Sequence, residues 1–510
     1  MVPGDPDNSR VIKRVTSTTN PMPPEDETPR PSADDIALIK KWIAAGAPSL
    51  ANDSTVQVGG PQLDAKYLRT AVRDHLLKLP EEDRKFQRYF TFIHLYNNPD
   101  EKKNLPIYPA ALSKAVNSLH WKRKIVQPSP VDGASTIYSV DLRDLDWESP
   151  DRWTDIVRAY PYGIRYDSGT SASLRTLTEE IDRLVANPLP FVRADWFIAT
   201  GTRPPLYNSM LVLPASGKLL EQKLGVDLEA NFFANKLRRS GFLKSNVSSQ
   251  NRVIERHDTT FGAYWRSYDF KPDTGHDNIV KFPLGPSPNF IRNHPFPEFA
   301  FEQAGGELIF NLPNGLQGYF LVDAKDNRLE VAPIEVVRDR EETAGNPQIV
   351  TGLSCMSCHV NGMITGDNVK DVIRDGFAGD GAARAKVDQL YPVKSAMDQL
   401  LQKDTDRFNH AMKKVMEPYV GVAEAEPISA VARPYVKKGI GLKEAVFELG
   451  LPDSNSLQQA IQTNRALRQL GLEPLAQDNP IQRATWEQID GNQSVFQKVA
   501  QELGLGTPVR

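Results

Sequence analysis

The two cysteines of this 510-residue chain stand together, in the run Cys355-Met356-Ser357-Cys358-His359. Two thiols at this spacing, followed at once by an imidazole, are the arrangement that attaches a c-type haem. Each thiol can form a thioether to one vinyl group of the same porphyrin, and the adjoining histidine can bind the iron as proximal ligand. One haem accounts for the whole cysteine content. Two other chemistries use similar spacing. A structural zinc site needs four ligands, commonly from a second Cys or Cys/His pair. The remaining histidines (His75, His94, His120, His257, His276, His294 and His410) show no H-x3-5-H pairing. A thioredoxin-like dithiol sits where a strand opens a helix in a βαβ unit. Here the motif follows Ile349-Val350-Thr351-Gly352-Leu353-Ser354 and precedes Gly362, with no such unit around it. Haem c is the expected cofactor, attached at Cys355 and Cys358 with His359 on the iron.

The second axial position decides what such a haem does. Met412 and Met416 follow the motif on a candidate helix, with His410 nearby, and are distal-ligand candidates. A helical methionine serves equally as a core residue. His257 follows Glu255 and Arg256. An imidazole beside a guanidinium could be a distal ligand or a base toward peroxide, and is otherwise a hydrogen-bonded structural residue. Met397 shares a helical face with Val393, Leu400 and Leu401, the pattern of a core position. Met363 follows His359 so closely that it is not expected to reach around the porphyrin edge.

Composition bounds the rest. The length exceeds one ordinary domain, and 40% hydrophobic with 25% charged residues is a globular composition. A formal net charge of -3 gives no electrostatic case for nucleic acid. No apolar run approaches the roughly 18 residues of a transmembrane helix. Attachment of haem to C-x-x-C-H takes place outside the bacterial inner membrane, so the protein is expected to be exported, with a periplasmic redox partner. Met1-Val2-Pro3-Gly4-Asp5-Pro6 has neither a basic nor an apolar leader region. The recorded start is therefore expected to be internal, or to follow a removed signal.

Local patterns suggest the elements. Ser32 and Asp35 form a capping-box-like start, followed by Ile36, Ile39, Trp42 and Ile43 on one helical face. Helical periodicity is expected over 63–79, 82–95, 107–120, 176–186 and 217–240. Ile137-Tyr138-Ser139-Val140-Asp141-Leu142 alternates like a strand. An antiparallel meander is expected over 305–337, turning at Pro313-Asn314-Gly315. Beyond it, helices are expected at 384–402, 404–417, 442–450, 455–470 and 482–503. The runs Glu81-Glu82-Asp83-Arg84-Lys85 and Arg338-Asp339-Arg340-Glu341-Glu342 alternate in sign and read as solvated surface.

Four segments near the start carry a resemblance. They are Val2 through Ser9, Arg14-Val15-Thr16-Ser17, Met22-Pro23-Pro24, and Ile39-Lys40-Lys41-Trp42-Ile43-Ala44-Ala45-Gly46-Ala47-Pro48. Together they resemble the C-terminal half of the planctomycete-type cytochrome c domain. The resemblance implies that Met22 is a distal iron ligand, for a haem whose own C-x-x-C-H lies upstream of Met1. A second haem is expected if the native chain extends that way. Further blocks are similar to uncharacterised secreted haem c proteins of the same kind. They include Arg193-Ala194-Asp195-Trp196-Phe197, Asn251 through His257, Gly262 through Phe270, and Phe310 through Ala324. This likeness spans roughly 85–365 and implies cofactor and compartment, with no activity attached.

The expected fold class is α+β, predominantly helical. It comprises a partial cytochrome c-like unit over 1–48, a linker over 49–61, a large α+β domain over 62–340 and a helical haem-bearing region over 341–510. Three functions are open. An electron-transfer cytochrome has a protein ligand on each side of the iron. A peroxidase- or oxygenase-like enzyme keeps one side open, and the several hundred residues around one haem favour it, since a carrier needs only about 100. A binding module could carry the haem as an accessory. No Ser-His-Asp order, H-E-x-x-H or paired-carboxylate pattern points to a hydrolase.

Overall fold

The computed structural model describes residues 2, 4–24, 30–45, 63–149, 151–166, 171–242, 251–271, 278–286, 293–334, 336–365, 369–419 and 426–509. The linker expected over 49–61 lies outside them. The chain divides into two compact units, Met1–Gly60 and Pro61–Arg510. The boundary expected at 340/341 does not separate domains. Strand Val369–Lys370 pairs with strand Arg238–Phe242 across it, and one hydrophobic core draws side chains from Phe90 through Ala500.

The first unit holds two helices, Arg10–Val15 and Ala33–Ala44. The second begins with the expected capping box: Ser32 Oγ accepts from the Asp35 amide and the Asp35 carboxylate accepts from the Ser32 amide. Among the described residues of this unit, Ile12 and Ile43 are the buried hydrophobics. Met22 is 54% exposed.

The second unit mixes helix and strand, with helix predominant among the described residues. Helices Ala65–Lys78, Ile107–Asn117 and Ala172–Val185 lie where periodicity places them. The stretch expected as helix 82–95 instead contains strand Gln87–Thr91. It pairs antiparallel with Ile137–Asp141 and parallel with Phe191–Arg193, and all five of its residues are buried. A short run buried on both faces carries no period that separates helix from strand. The stretch expected as helix 217–240 is likewise broken. Gly225 caps helix Gly217–Leu224 at φ 72, Asp227 caps Leu228–Phe233, and Arg238–Phe242 is a strand. Downstream, two helices stand where 384–402 and 404–417 are expected, but they are Gly381–Leu390 and Lys394–Met416, because the break falls at Pro392 rather than near 403. In the stretch expected as helix 482–503, a two-strand hairpin separates helices Arg483–Glu487 and Val495–Glu502.

The expected meander is the edge of a larger sheet. Seven antiparallel strands run in the order Arg328–Leu329, Gln317–Asp323, Gly305–Asn311, Gly262–Tyr268, Arg252–Thr259, Arg238–Phe242, Val369–Lys370. The turn joining Gly305–Asn311 to Gln317–Asp323 places Gly315 at φ 94, which glycine adopts without strain. One face of the sheet carries Tyr264, Leu308, Phe310 and Phe320 into the main core. The opposite face carries Ile254, Trp265, Ile309 and Leu321 and is the floor of the candidate site. Helix Lys394–Met416 is tied to that face through Asp404, which accepts from Arg256 Nε at 2.8 Å and Trp265 Nε1 at 2.9 Å.

Phe310 is 1% exposed and stacks on the Trp121 ring at 5.7 Å. Phe310→Ala is expected to cost ~3–5 kcal/mol, the range for truncating a core aromatic, read as a lower denaturant midpoint at unchanged slope. A loss below about 1 kcal/mol would contradict this packing.

Candidate functional site

The motif lies on a short helix, Leu353–Cys358, entered through Gly352 at φ 81. A Cβ on Gly352 would lie 2.5 Å from the Thr202 carbonyl oxygen and 3.1 Å from the Tyr207 ring, so the chain passes here only without a side chain. Buried Asp339 secures the loop above the helix. It accepts from the Glu341 and Thr343 amides and from Ser354 Oγ, each at 3.0 Å. Thr343 Oγ1 donates to Ser357 Oγ at 3.1 Å. The run 338–342 is thus not simply solvated surface: Asp339 is a buried support of the motif.

Beyond the helix the chain curls back. The His359 amide donates to the Cys355 carbonyl and the Gly362 amide to the His359 carbonyl. His359 is buried, and its Nδ1 lies 2.9 Å from the Gly362 carbonyl oxygen. A carbonyl only accepts, so the hydrogen-bond network assigns a proton to Nδ1 and leaves Nε2 as the nitrogen able to bind a metal. An imidazole fixed in this way through its other nitrogen is the usual support of a metal-binding histidine.

Cys355, Cys358 and His359 line one cavity of about 320 Å³. Its walls are mainly apolar, including Phe242, Ile254, Ile309, Leu321, Val337 and Ile349. Glu307 reaches in from the floor, with Oε2 3.6 Å from His359 Nε2. Burial alone would lower the pKa of His359, but the Glu307 carboxylate outweighs it and holds the imidazole above its ordinary value. Burial alone would raise Glu307, but contact with His359 keeps it below the usual carboxylate range. The Cys355 thiol is pushed well up by burial and by Glu307. Cys358 is exposed as a residue, yet the packing around its thiol, together with the charges of Glu307, Asp339 and Glu341, pushes it up to about 12.

The distal candidates fall elsewhere. Strand Arg252–Thr259 alternates, so Arg252 and Ile254 face the cavity while Glu255 and His257 face away. His257 is fully buried, with Nε2 2.9 Å from Glu255 Oε1 and Nδ1 3.1 Å from Asn231 Nδ2. It is a structural residue of the opposite face and cannot act as a distal base here. Leu401 of helix Lys394–Met416 lines the cavity. At 1.5 Å per residue, Met412 and Met416 lie about 16 and 22 Å further along the axis, half-buried against the main core. Met397 is fully buried in that core. Met363, set aside on sequence grounds, lines the cavity.

A second cavity, of about 370 Å³, is lined in part by His94, Arg193, Asp195 and Glu448. Its charges are paired among themselves: His94 with Asp195 at 2.8 Å, and Arg193 with both Asp195 and Glu448 at 2.9 Å. Among the described residues, no group of three His, Cys, Asp or Glu side chains is arranged to hold a metal ion directly, and no helix is long and apolar enough to cross a membrane. No protein-family model, curated protein or solved structure matches the chain.

The His359–Glu307 pair gives the haem-free chain a pH signature. His359, raised when folded, contributes stability fully below its unfolded pKa of about 6.5 and loses it as pH rises through the folded value. Glu307, depressed when folded, contributes above its unfolded pKa and loses that contribution as pH falls through the folded one. The melting-temperature advantage of wild type over Glu307→Gln should therefore peak at mildly acidic pH and shrink as pH rises. A difference that stays constant from about pH 5 to about pH 9 would contradict the pairing.

Proposed function

We propose that this chain is an exported c-type haem protein that passes single electrons between periplasmic partners. The observation that carries the reading is the convergence of Cys355, Cys358 and His359 on one mainly apolar cavity, with the Nδ1 proton of His359 directed at Gly362. The residues suit the group. Each thiol would hold the porphyrin through one thioether, and His359 Nε2 would take the iron, with the hydrogen bond to Gly362 fixing the imidazole plane. When bound, the haem supplies reversible one-electron exchange. The chain supplies the rest: Ile309, Leu321 and Leu401 exclude water, and Asp339 holds the motif helix in place.

A second reading, haem-dependent oxidoreductase chemistry on a small molecule, is favoured by the make-up of the same cavity. Among the described residues, His359 is its one histidine and Met363 its one methionine, so among them the second axial ligand expected of an electron carrier rests on Met363. Met22, implied as a distal ligand by resemblance, belongs to this proposal only together with an upstream C-x-x-C-H.

In an export-competent host the wild-type protein should retain a haem stain through denaturing electrophoresis, and the Cys355→Ala/Cys358→Ala double variant should lose it. A double variant that stains like wild type would refute covalent attachment at the motif. The ferric wild-type spectrum should be low-spin and turn high-spin in Met363→Ala. A high-spin wild type whose Soret band shifts rapidly with peroxide would replace electron transfer by the second reading.

A further inference from the structure

Four arginines of the large sheet are buried, and three of them donate hydrogen bonds to carboxylates. Arg239 bonds Glu255 at 2.6 Å, Arg256 bonds Asp404 at 2.8 Å, and Arg266 bonds Glu221 and Asp326 at 2.8 Å. Arg252 departs from this pattern. Its side chain is 9% exposed, and neither Nε nor Nη2 makes a hydrogen bond. Asp269 lies close, with Oδ1 3.2 Å from Nε, but off the hydrogen-bond line, so that Oδ1 is also without a donor. The charges are compensated while the N–H groups are not. Unbonded donors in a buried guanidinium are costly, and each such group in a folded protein calls for an explanation.

Arg252 lines the motif cavity on the same sheet face as Ile254. It pairs in register with Phe242, which also lines the cavity. The strand carrying Arg252 lies two strand spacings, about 10 Å, from the strand carrying Glu307, beside which His359 sits. The guanidinium is thus set on the same cavity wall two strands from Glu307, with its charge acting on both Glu307 and His359. A guanidinium with free N–H groups matches a carboxylate, which it can take with two parallel hydrogen bonds.

We propose that Arg252 is a carboxylate-binding residue of this cavity, and that the carboxylate it takes is a propionate of the porphyrin held at Cys355 and Cys358. The proposal rests on the haem reading above and adds an orientation to it: thioethers at the motif helix, a propionate at the Arg252 end. Arg252 would also offset part of the negative charge that the propionate and Asp269 bring together there. Its removal would leave that charge free to favour ferric over ferrous iron.

The test compares haem-loaded wild type, Arg252→Leu and Arg252→Lys by haem stain and by spectroelectrochemical titration. All three should stain, Arg252→Leu should have a lower midpoint potential, and Arg252→Lys should stay close to wild type. Should Arg252→Leu fail to accumulate, Arg252→Gln is expected to show the same fall. A neutral variant with wild-type potential overturns the proposal. So does succinate that raises the melting temperature of haem-loaded wild type but not of Arg252→Leu, since the site would then be open to a free carboxylate. A wild type without stain fails at the earlier step and sinks the haem reading itself.

Discussion

The strand pairing that sets Ile309 opposite both Trp265 and Tyr319 determines which side chains of the large sheet meet the motif helix. Residues two apart share a face, so this register sends Arg252, Ile254, Glu307 and Leu321 toward Cys355 and His359. The same register sends Leu308, Phe310 and Phe320 into the main core. A slip by one residue would exchange the two sets, burying Glu307 among apolar side chains and exposing Phe310 to the cavity. The motif helix spans only six residues and could not persist alone. It is held by the sheet below it, by the close passage at Gly352 and by Asp339 above.

That cavity is apolar over most of its wall, with charged groups on the loop at Asp339, Arg340 and Glu341 and at two places on the sheet. Near the motif, Glu307 faces both Cys355 and His359. Across the sheet, Arg252 faces Asp269 without a hydrogen bond. Buried charges of this kind seldom add stability over an apolar wall. Here they place a carboxylate and a guanidinium in the same cavity as the two thiols and the imidazole of the motif.

Much of this was legible in the chain, for identifiable reasons. Cys355, Cys358 and His359 are contiguous, so their grouping needed no tertiary information. The Asn314-Gly315 turn and the Ser32–Asp35 cap are local and form as their residue types require. What escaped was long-range. Asp339 sits in a run of alternating charge that reads as solvent-facing, and only its hydrogen bonds to Thr343 and Ser354 identify it as a buried support. Glu307 is the one charged residue of strand Gly305–Asn311, and its face is decided by its partners Leu321 and Ser267. Met412 and Met416 are suitably distant from the motif in sequence, but a straight helix carries them along its axis, away from the cavity. The 340/341 boundary failed because strand Val369–Lys370 returns to a sheet begun more than a hundred residues earlier.

The central claim is that one porphyrin is bound covalently through this motif. The most direct measurement is peptide mapping by mass spectrometry of the protein matured in an export-competent host and then fully denatured. The peptide containing Cys355 through His359 should carry the mass of one haem, with neither thiol available to an alkylating reagent. The same peptide recovered without added mass and alkylated at both cysteines, under conditions where a known c-type cytochrome in that host is fully loaded, would contradict it.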